Sequence, residues 1–235
     1  MNSFDFEIIT WLNQFSQHSW TFDKTMVFIA YNNLLKAFVL IAIMWWAWFK
    51  SGERCEHNRE YILITLFSTI FAIAAARALA FMLPFRFRPL HTDSLHFLIP
   101  EGELRMALEG WSSFPSDHAV MFFTLATGLF FVSKRMGIFA CAYTTLFIAF
   151  PRVYLGIHYP TDIIAGTVLG VAIALIANIY FVKNKYIQLI VKWSYTLPEY
   201  FYPVFFLVTY QITDMFDDSR ALAEAGLTLF KNIVG

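Results

Sequence analysis

The stretch Arg152-Val-Tyr-Leu-Gly-Ile-His158-Tyr-Pro-Thr-Asp162 runs directly into the apolar segment Ile163–Val182. About 20 apolar residues suffice for a helix to cross a bilayer, and this segment meets that length. His158 and Asp162 lie four residues apart where the helix begins, so one helical turn puts them on the same face. Pro160 is tolerated there because the N–H it lacks would be unpaired in a first turn anyway. A carboxylate bonded to one imidazole nitrogen fixes the tautomer and leaves the other nitrogen free to attack. Alone, the same residues also fit an interfacial histidine followed by an acid that answers the helix dipole. Two further clusters weigh toward the chemical reading.

Phe114-Pro-Ser-Asp-His118 opens another apolar segment. Ser116 suits the N-cap of that helix, and the free N–H groups of its first turn form an anion site. His118 is then placed to protonate a departing oxygen. The bland alternative is a plain N-cap with an incidental histidine. The third cluster, Arg77 to Pro89, supplies cations. Arg88 precedes Pro89 and can clamp phosphate oxygens in bidentate fashion. Arg77 lies inside Ile73-Ala-Ala-Ala-Arg77-Ala-Leu-Ala-Phe81, where an arginine costs about 2.5–3.5 kcal/mol on insertion scales. Snorkelling to the surface competes with a phosphate role for Arg77. Arg86 is read as a surface or head-group contact.

The whole chain fits a membrane setting. Of its 235 residues 58% are hydrophobic and only 14% charged, against about a quarter charged in soluble domains. The formal net charge is zero, and no basic run suggests nucleic acid as a partner. Cys55 and Cys141 form no metal-binding or disulfide pattern, so neither a metal nor a cofactor is expected. The N-terminus lacks the basic start of a signal peptide.

The expected fold is all-α: a single membrane-embedded domain over 1–235, built as a six-transmembrane-helix bundle. The spans are Leu34–Phe49 (extended outward through Lys24–Asn33), Tyr61–Leu83, Ala119–Ser133, Gly137–Phe150, Ile163–Val182 and Tyr200–Phe216. Residues 1–23 read as an amphipathic interfacial helix and 220–234 as a weaker one. Trp45, Trp46 and Trp48 read as bilayer-facing or interfacial. Lys50, Arg54 and Arg59, then Lys134 and Arg135, then Lys183, Lys185 and Lys192 fall in alternate loops, which the positive-inside rule places in the cytoplasm. The termini and the active site between the helices then face the exterior or periplasm. Arg86, Arg88 and Arg152 break the trend, and anion binding is the reason offered for them.

At these residues the chain resembles the type-2 phosphatidic acid phosphatase superfamily, which also includes vanadium haloperoxidases. That pattern is Lys-x6-Arg-Pro, then Pro-Ser-Gly-His, then Ser-Arg-x5-His-x3-Asp. Arg88-Pro89, Pro115-Ser116, His118, Arg152, His158 and Asp162 match it, within a motif-bearing core of about 60–182. The resemblance implies metal-independent dephosphorylation of a lipid phosphate through a phosphohistidine. His158 would be the nucleophile, Asp162 its orienting acid and His118 the proton donor. Arg88, Arg152, Ser116 and Arg77 would hold the phosphate.

The chain departs from the pattern in three places. Phe81 stands at the lysine, with Arg77 one turn earlier as its stand-in. Asp117 stands at the glycine and is expected to point away from phosphate, toward the helix dipole or an arginine. Pro151 stands at the serine. Undecaprenyl pyrophosphate is the leading substrate, because the family includes recyclers of that carrier, with phosphatidic acid and phosphatidylglycerol phosphate next. The outer loop His91–Ser113, with Asp93, His96, Glu101, Glu103, Arg105, Glu109 and Trp111, forms the head-group rim. A lipid phosphotransferase using the same pocket is the first alternative. A transporter or binding protein is the second, and it lacks the repeats and midplane charge pairs it would need.

Overall fold

A computed structural model describes residues 2–52, 55–104 and 108–222, with 225 and 228. Arg54, Arg105 and most of the expected amphipathic tail at 220–234 lie outside them. The described residues contain helices and no strand. In chain order they are α1 (Ser3–Asn13), α2 (Trp20–Tyr31), α3 (Val39–Phe49), α4 (Cys55–Met82), α5 (Asp117–Val132), α6 (Lys134–Thr144), α7 (Phe150–Tyr154), α8 (Pro160–Phe181), α9 (Lys185–Thr196) and α10 (Pro198–Thr213). Two π-helical turns, Leu34–Phe38 and Thr145–Ala149, join α2 to α3 and α6 to α7.

Three helical stretches are long and apolar enough to cross a membrane: Cys55–Met82, Lys134–Tyr154 and Pro160–Phe181. The pair Trp20–Tyr31 and Leu34–Phe49 passes only as a single span bent by 65°. α5 is apolar but has 16 residues, about 24 Å at 1.5 Å per residue and short of a full hydrocarbon core. Its burial accounts for that shortness. Every residue from Ala119 to Leu129 is buried, so neighbouring helices rather than lipid surround it. The expected span at 200–216 corresponds to α10, which has 16 residues, ends at Thr213 and carries Pro203 inside it.

α5 is the axis on which the site is assembled. Gly166 and Gly170 of α8 lie one turn apart and press onto its backbone. A Cβ at Gly166 would meet the Ser116 carbonyl oxygen at 2.6 Å, and one at Gly170 the Val120 oxygen at 2.3 Å. Small residues four apart let helices approach this closely in a membrane, where packing and not the hydrophobic effect drives association. The approach sets the start of α8 beside the start of α5, and the Ser116 N–H donates to the Asp162 carbonyl at 3.2 Å. Thr124 adds a bond to the Gly170 carbonyl at 3.2 Å.

The reading of the tryptophans needs correcting. Trp48 is fully buried and stacks on Phe201, with its indole N–H donating to the Tyr202 hydroxyl at 3.2 Å. Trp45 donates to Thr209 at 3.2 Å. Both indoles turn toward α10, where their N–H groups find acceptors, and of the three only Trp46 is exposed. Their burial comes from a partner more than 150 residues later, which hydropathy does not register.

The amphipathic helix expected over 1–23 is shorter: α1 ends at Asn13, and Trp20 already begins α2. Ile9 and Leu12 pack with Val153 and Tyr159 while Phe4, Phe6, Trp11 and Phe15 stay exposed. Asn13 exchanges hydrogen bonds with Leu98 at 2.7 and 2.8 Å, tying this helix to the long loop between α4 and α5.

Candidate active site

The C-terminal ends of α4 and α7 and the N-terminal ends of α5 and α8 meet at one end of the bundle. The loop segments there are stitched together by backbone bonds from Leu90 to Gly156 (3.0 Å) and Ser113 to Arg86 (2.9 Å). A cavity of about 300 Å³ opens among them. It is lined by His118 and His158, by Lys36, Arg77, Arg88, Arg152 and Arg220, and by Asp117 and Asp217, with Tyr31 at its edge. Five cations against two carboxylates give the cavity an excess of positive charge, chemistry that suits an anion. A second cavity, of about 330 Å³, shares Arg77, Arg88, Asp117 and His158 and is walled by Ala76, Ala80 and Phe81 on the flank of α4.

His158 lies in the turn before α8 and is almost fully buried. Its Nδ1 is 2.8 Å from the Ser113 carbonyl oxygen, so Nδ1 carries the proton and donates it. Asp162 does not make the expected direct bond; its Oδ2 is 3.7 Å from that nitrogen. Oδ2 instead accepts the Tyr159 N–H at 2.8 Å, capping α8, and Oδ1 accepts from Arg86 at 2.5 Å. A backbone carbonyl thus fixes the tautomer while Asp162 contributes charge and holds the turn. Nε2 is left as the free nitrogen, 3.5 Å from Arg88 Nη1. Burial pushes the imidazole below its ordinary pKa, against the opposing pull of Asp162, which favours the neutral, nucleophilic form.

His118 is held differently. Asp117 Oδ1 accepts the His118 N–H at 2.8 Å and lies 2.9 Å from His118 Nδ1. Asp117 is expected to point away from the phosphate, toward the helix dipole or an arginine; it lines both cavities instead, and only its bond to a first-turn amide agrees with that expectation. The partner of its charge is the histidine ring, however, and no arginine lies within 4 Å of it among the described residues. An acid that looked out of place beside phosphate therefore orients the second imidazole and leaves its Nε2 for the cavity.

The expected phosphate ligands divide. Arg88 and Arg152 are each 5% exposed and line the cavity. Arg88 Nη1 is braced on the Ile157 carbonyl at 2.7 Å, Arg152 has one long bond to Ala30 at 3.5 Å, and the Nε of both lacks a partner among the described residues. Arg77 also lines the cavity, but its Nη2 donates to the Met215 carbonyl at 2.9 Å. Ser116 is a helix cap: its hydroxyl accepts from Ala119 N–H at 3.3 Å, the residue is fully buried, and it is not among the lining residues.

Arg86 is not the surface contact expected of it. Its guanidinium lies over the Tyr159 ring at 4.2 Å and bridges Asp162 to Asp5, with Nη2 to Asp5 Oδ2 at 2.6 Å. Asp5 is fully buried and also accepts from Thr161, N–H at 3.0 Å and hydroxyl at 2.6 Å. α1 is thereby bonded to the turn that carries His158. In the rim loop, Glu103 accepts from Tyr31 at 2.7 Å, and burial raises its carboxyl pKa.

Sequence reading missed Lys36, Asp5 and the Ser113 carbonyl. For Lys36 the signal was present, since a lysine in the apolar run Leu34–Phe49 invites the question put to Arg77.

A family model described as the PAP2 superfamily matches residues 61–186. Undecaprenyl-diphosphatase BcrC of Bacillus subtilis (strain 168) is 26% identical over 170 residues, covering 72% of this chain and 80% of the relative. The putative undecaprenyl-diphosphatase YbjG of Escherichia coli (strain K12) is 25% identical over 169 residues, 71% of this chain and 78% of that one. The lipid A 1-phosphatase of Rhizobium johnstonii is 37% identical over 75 residues, 31% of this chain and 30% of the relative. No solved structure matches the chain.

Proposed function

The chain belongs to the PAP2 superfamily and is a phosphatase of that type, and on that premise we propose that it removes the terminal phosphate of undecaprenyl diphosphate at the outer face of the cell membrane. The observation that carries the proposal is the pair of histidines on one cationic cavity, each with Nδ1 tied to an oxygen and Nε2 left over.

His158 Nε2 attacks the terminal phosphorus, forming a P–N bond as the P–O bond to the lipid monophosphate breaks. His118, with Asp117 supporting its imidazolium, gives its Nε2 proton to the departing oxygen. Water then attacks the phosphohistidine, His118 takes the proton, and inorganic phosphate leaves. Covalent catalysis divides one difficult displacement into two. Arg88 and Arg152 hold the phosphoryl oxygens in a poorly solvated recess, where fixed charges count most.

Two considerations select this substrate. A diphosphate brings more negative charge than a monoester, which suits the excess of cations, and relatives over most of the chain's length carry the undecaprenyl-diphosphatase name. The basic residues Arg59, Lys134, Arg135, Lys183 and Lys185 lie near the start of α4 and at the α5–α6 and α8–α9 junctions, away from the helix ends that carry the site. By the positive-inside rule this supports an outward-facing cavity. Single-domain organisation over 1–235 is part of this reading.

The test is phosphate release by detergent-purified protein, with EDTA present, from undecaprenyl diphosphate, phosphatidic acid, phosphatidylglycerol phosphate and lipid A. The expected result is fastest release from the diphosphate. Preference for another lipid would replace the substrate. Substrate consumed only when a lipid acceptor is added, with no free phosphate released, would make the enzyme a phosphotransferase.

A further inference from the structure

Lys36 lies in an otherwise apolar stretch, yet it lines the same cavity as His118, His158, Arg88 and Arg152. Among the described residues no carboxylate comes within 4 Å of its ammonium group and no side-chain hydrogen bond engages it. Asp117 and Asp214 act on it from farther away, and Arg152 opposes it. A lysine inside a span costs about 2.5–3.5 kcal/mol on insertion scales, so it normally has a partner or a task. It shares the cavity lining with Arg152, whose like charge opposes it, and an anion bound there would offset both.

The local backbone is built to hold Lys36 there. The chain bends by 65° between α2 and the helical stretch Leu34–Phe49. Asn32 fastens the bend twice: its side-chain oxygen accepts from Leu35 N–H at 3.1 Å, and its carbonyl from Lys36 N–H at 2.9 Å. Lys36 is the middle residue of the π-helical turn Leu34–Phe38. In such a turn the wider spacing rotates side chains away from their α-helical register, and π-turns concentrate at functional sites. The Tyr143 hydroxyl closes the device from α6 by donating to the Leu35 carbonyl. These bonds fix one lysine on the cavity side, where a straight span would offer no such control.

The first motif makes the need for a cation specific. Its lysine position is held by Phe81, which is 81% exposed on the flank of α4. Arg77, the expected stand-in, has spent Nη2 on the Met215 carbonyl.

We infer that Lys36, from the broken helix outside the family-matched region, binds the phosphoryl group and replaces the cation missing at Phe81. This rests on the reading of the cavity as a phosphate site. Its ammonium is a point charge that can follow an oxygen through both displacements, whereas Arg88 is braced in place.

The experiment compares wild type with Lys36→Met, Lys36→Gln and Lys36→Arg in two assays. The first is kcat and KM on undecaprenyl diphosphate. Both neutral variants are expected to lose about 100-fold in kcat/KM, the usual scale for removing one charge-stabilising donor, mainly in kcat. Lys36→Arg should recover most of the loss. The second assay needs no lipid: stabilisation of the protein against heat by orthovanadate, which should be present in wild type and Lys36→Arg and weakened at least about tenfold in the neutral variants. Neutral variants that keep wild-type kcat/KM and the vanadate response overturn the inference. So does a Lys36→Arg that fails along with them, because charge would then not be what matters. If wild type cleaves no lipid on trial but vanadate still distinguishes the variants, the substrate reading fails and the role of Lys36 stands.

Discussion

His158 sits 3% exposed in a turn clamped by the Ser113 carbonyl, by Arg88 and by the Asp5–Arg86–Asp162 chain. His118, in contrast, stands on the first turn of α5 with its side chain 18% exposed and, among the described residues, only its neighbour Asp117 bonded to the ring. The difference matches two tasks. A nucleophile must meet phosphorus along one line, and rigid placement is worth orders of magnitude in rate. A proton carrier must serve a departing lipid oxygen and then a water at a different position, so a ring held at one nitrogen and open at the other suits it.

The comparison breaks most sharply at His158, the proposed nucleophile. His158→Ala should lose at least about 10³-fold in kcat on any lipid substrate, since the first displacement then lacks the group that attacks phosphorus. His118→Ala should lose about 10²–10⁴-fold on the diphosphate. On an aryl phosphate, whose leaving group needs no proton, the first step should be nearly unaffected, and burst kinetics would separate the two steps. Equal losses on both substrates would remove His118 from the acid role.

Smaller effects probe how each ring is held. Asp5→Ala leaves Arg86 and Thr161 without their buried partner and should lower stability by on the order of 3 kcal/mol, read as a lower thermal midpoint. A double-mutant cycle with Arg86→Ala should show the two losses to be strongly non-additive. Asp117→Asn should reduce kcat about tenfold with little change in KM, because the imidazolium loses its counter-charge. Full activity in that variant would mean the pairing seen here is incidental. The smallest effect is on pH. Burial depresses the His158 pKa and Asp162 opposes this, so the acidic limb of kcat/KM should lie below the ordinary histidine range. Removing the upward pull with Asp162→Asn should shift the limb further toward acid; a shift the other way contradicts the assignment.

What the sequence made legible follows the range of each interaction. The Ser116 cap and the Pro160 helix start are set by residues within four positions, and both appear where spacing put them. The direct His158–Asp162 bond was inferred from the same spacing and fails because a backbone carbonyl 45 residues away takes the nitrogen. Backbone atoms carry no residue-type signal, so no pattern could have named Ser113. Asp5 meets Arg86 across 81 positions, and its role shows only once α1 is docked. Trp48 and Lys36 were misread or passed over because hydropathy reports how apolar a segment is and not which side of it faces protein.

The most direct test of the central claim is rapid quenching of wild-type protein with undecaprenyl diphosphate carrying radiolabelled terminal phosphate. The account expects protein-bound label within one turnover, stable in base and lost in acid, on the peptide containing His158 and absent from His158→Ala. Phosphate release at full rate with no such label in the quenched enzyme would contradict it.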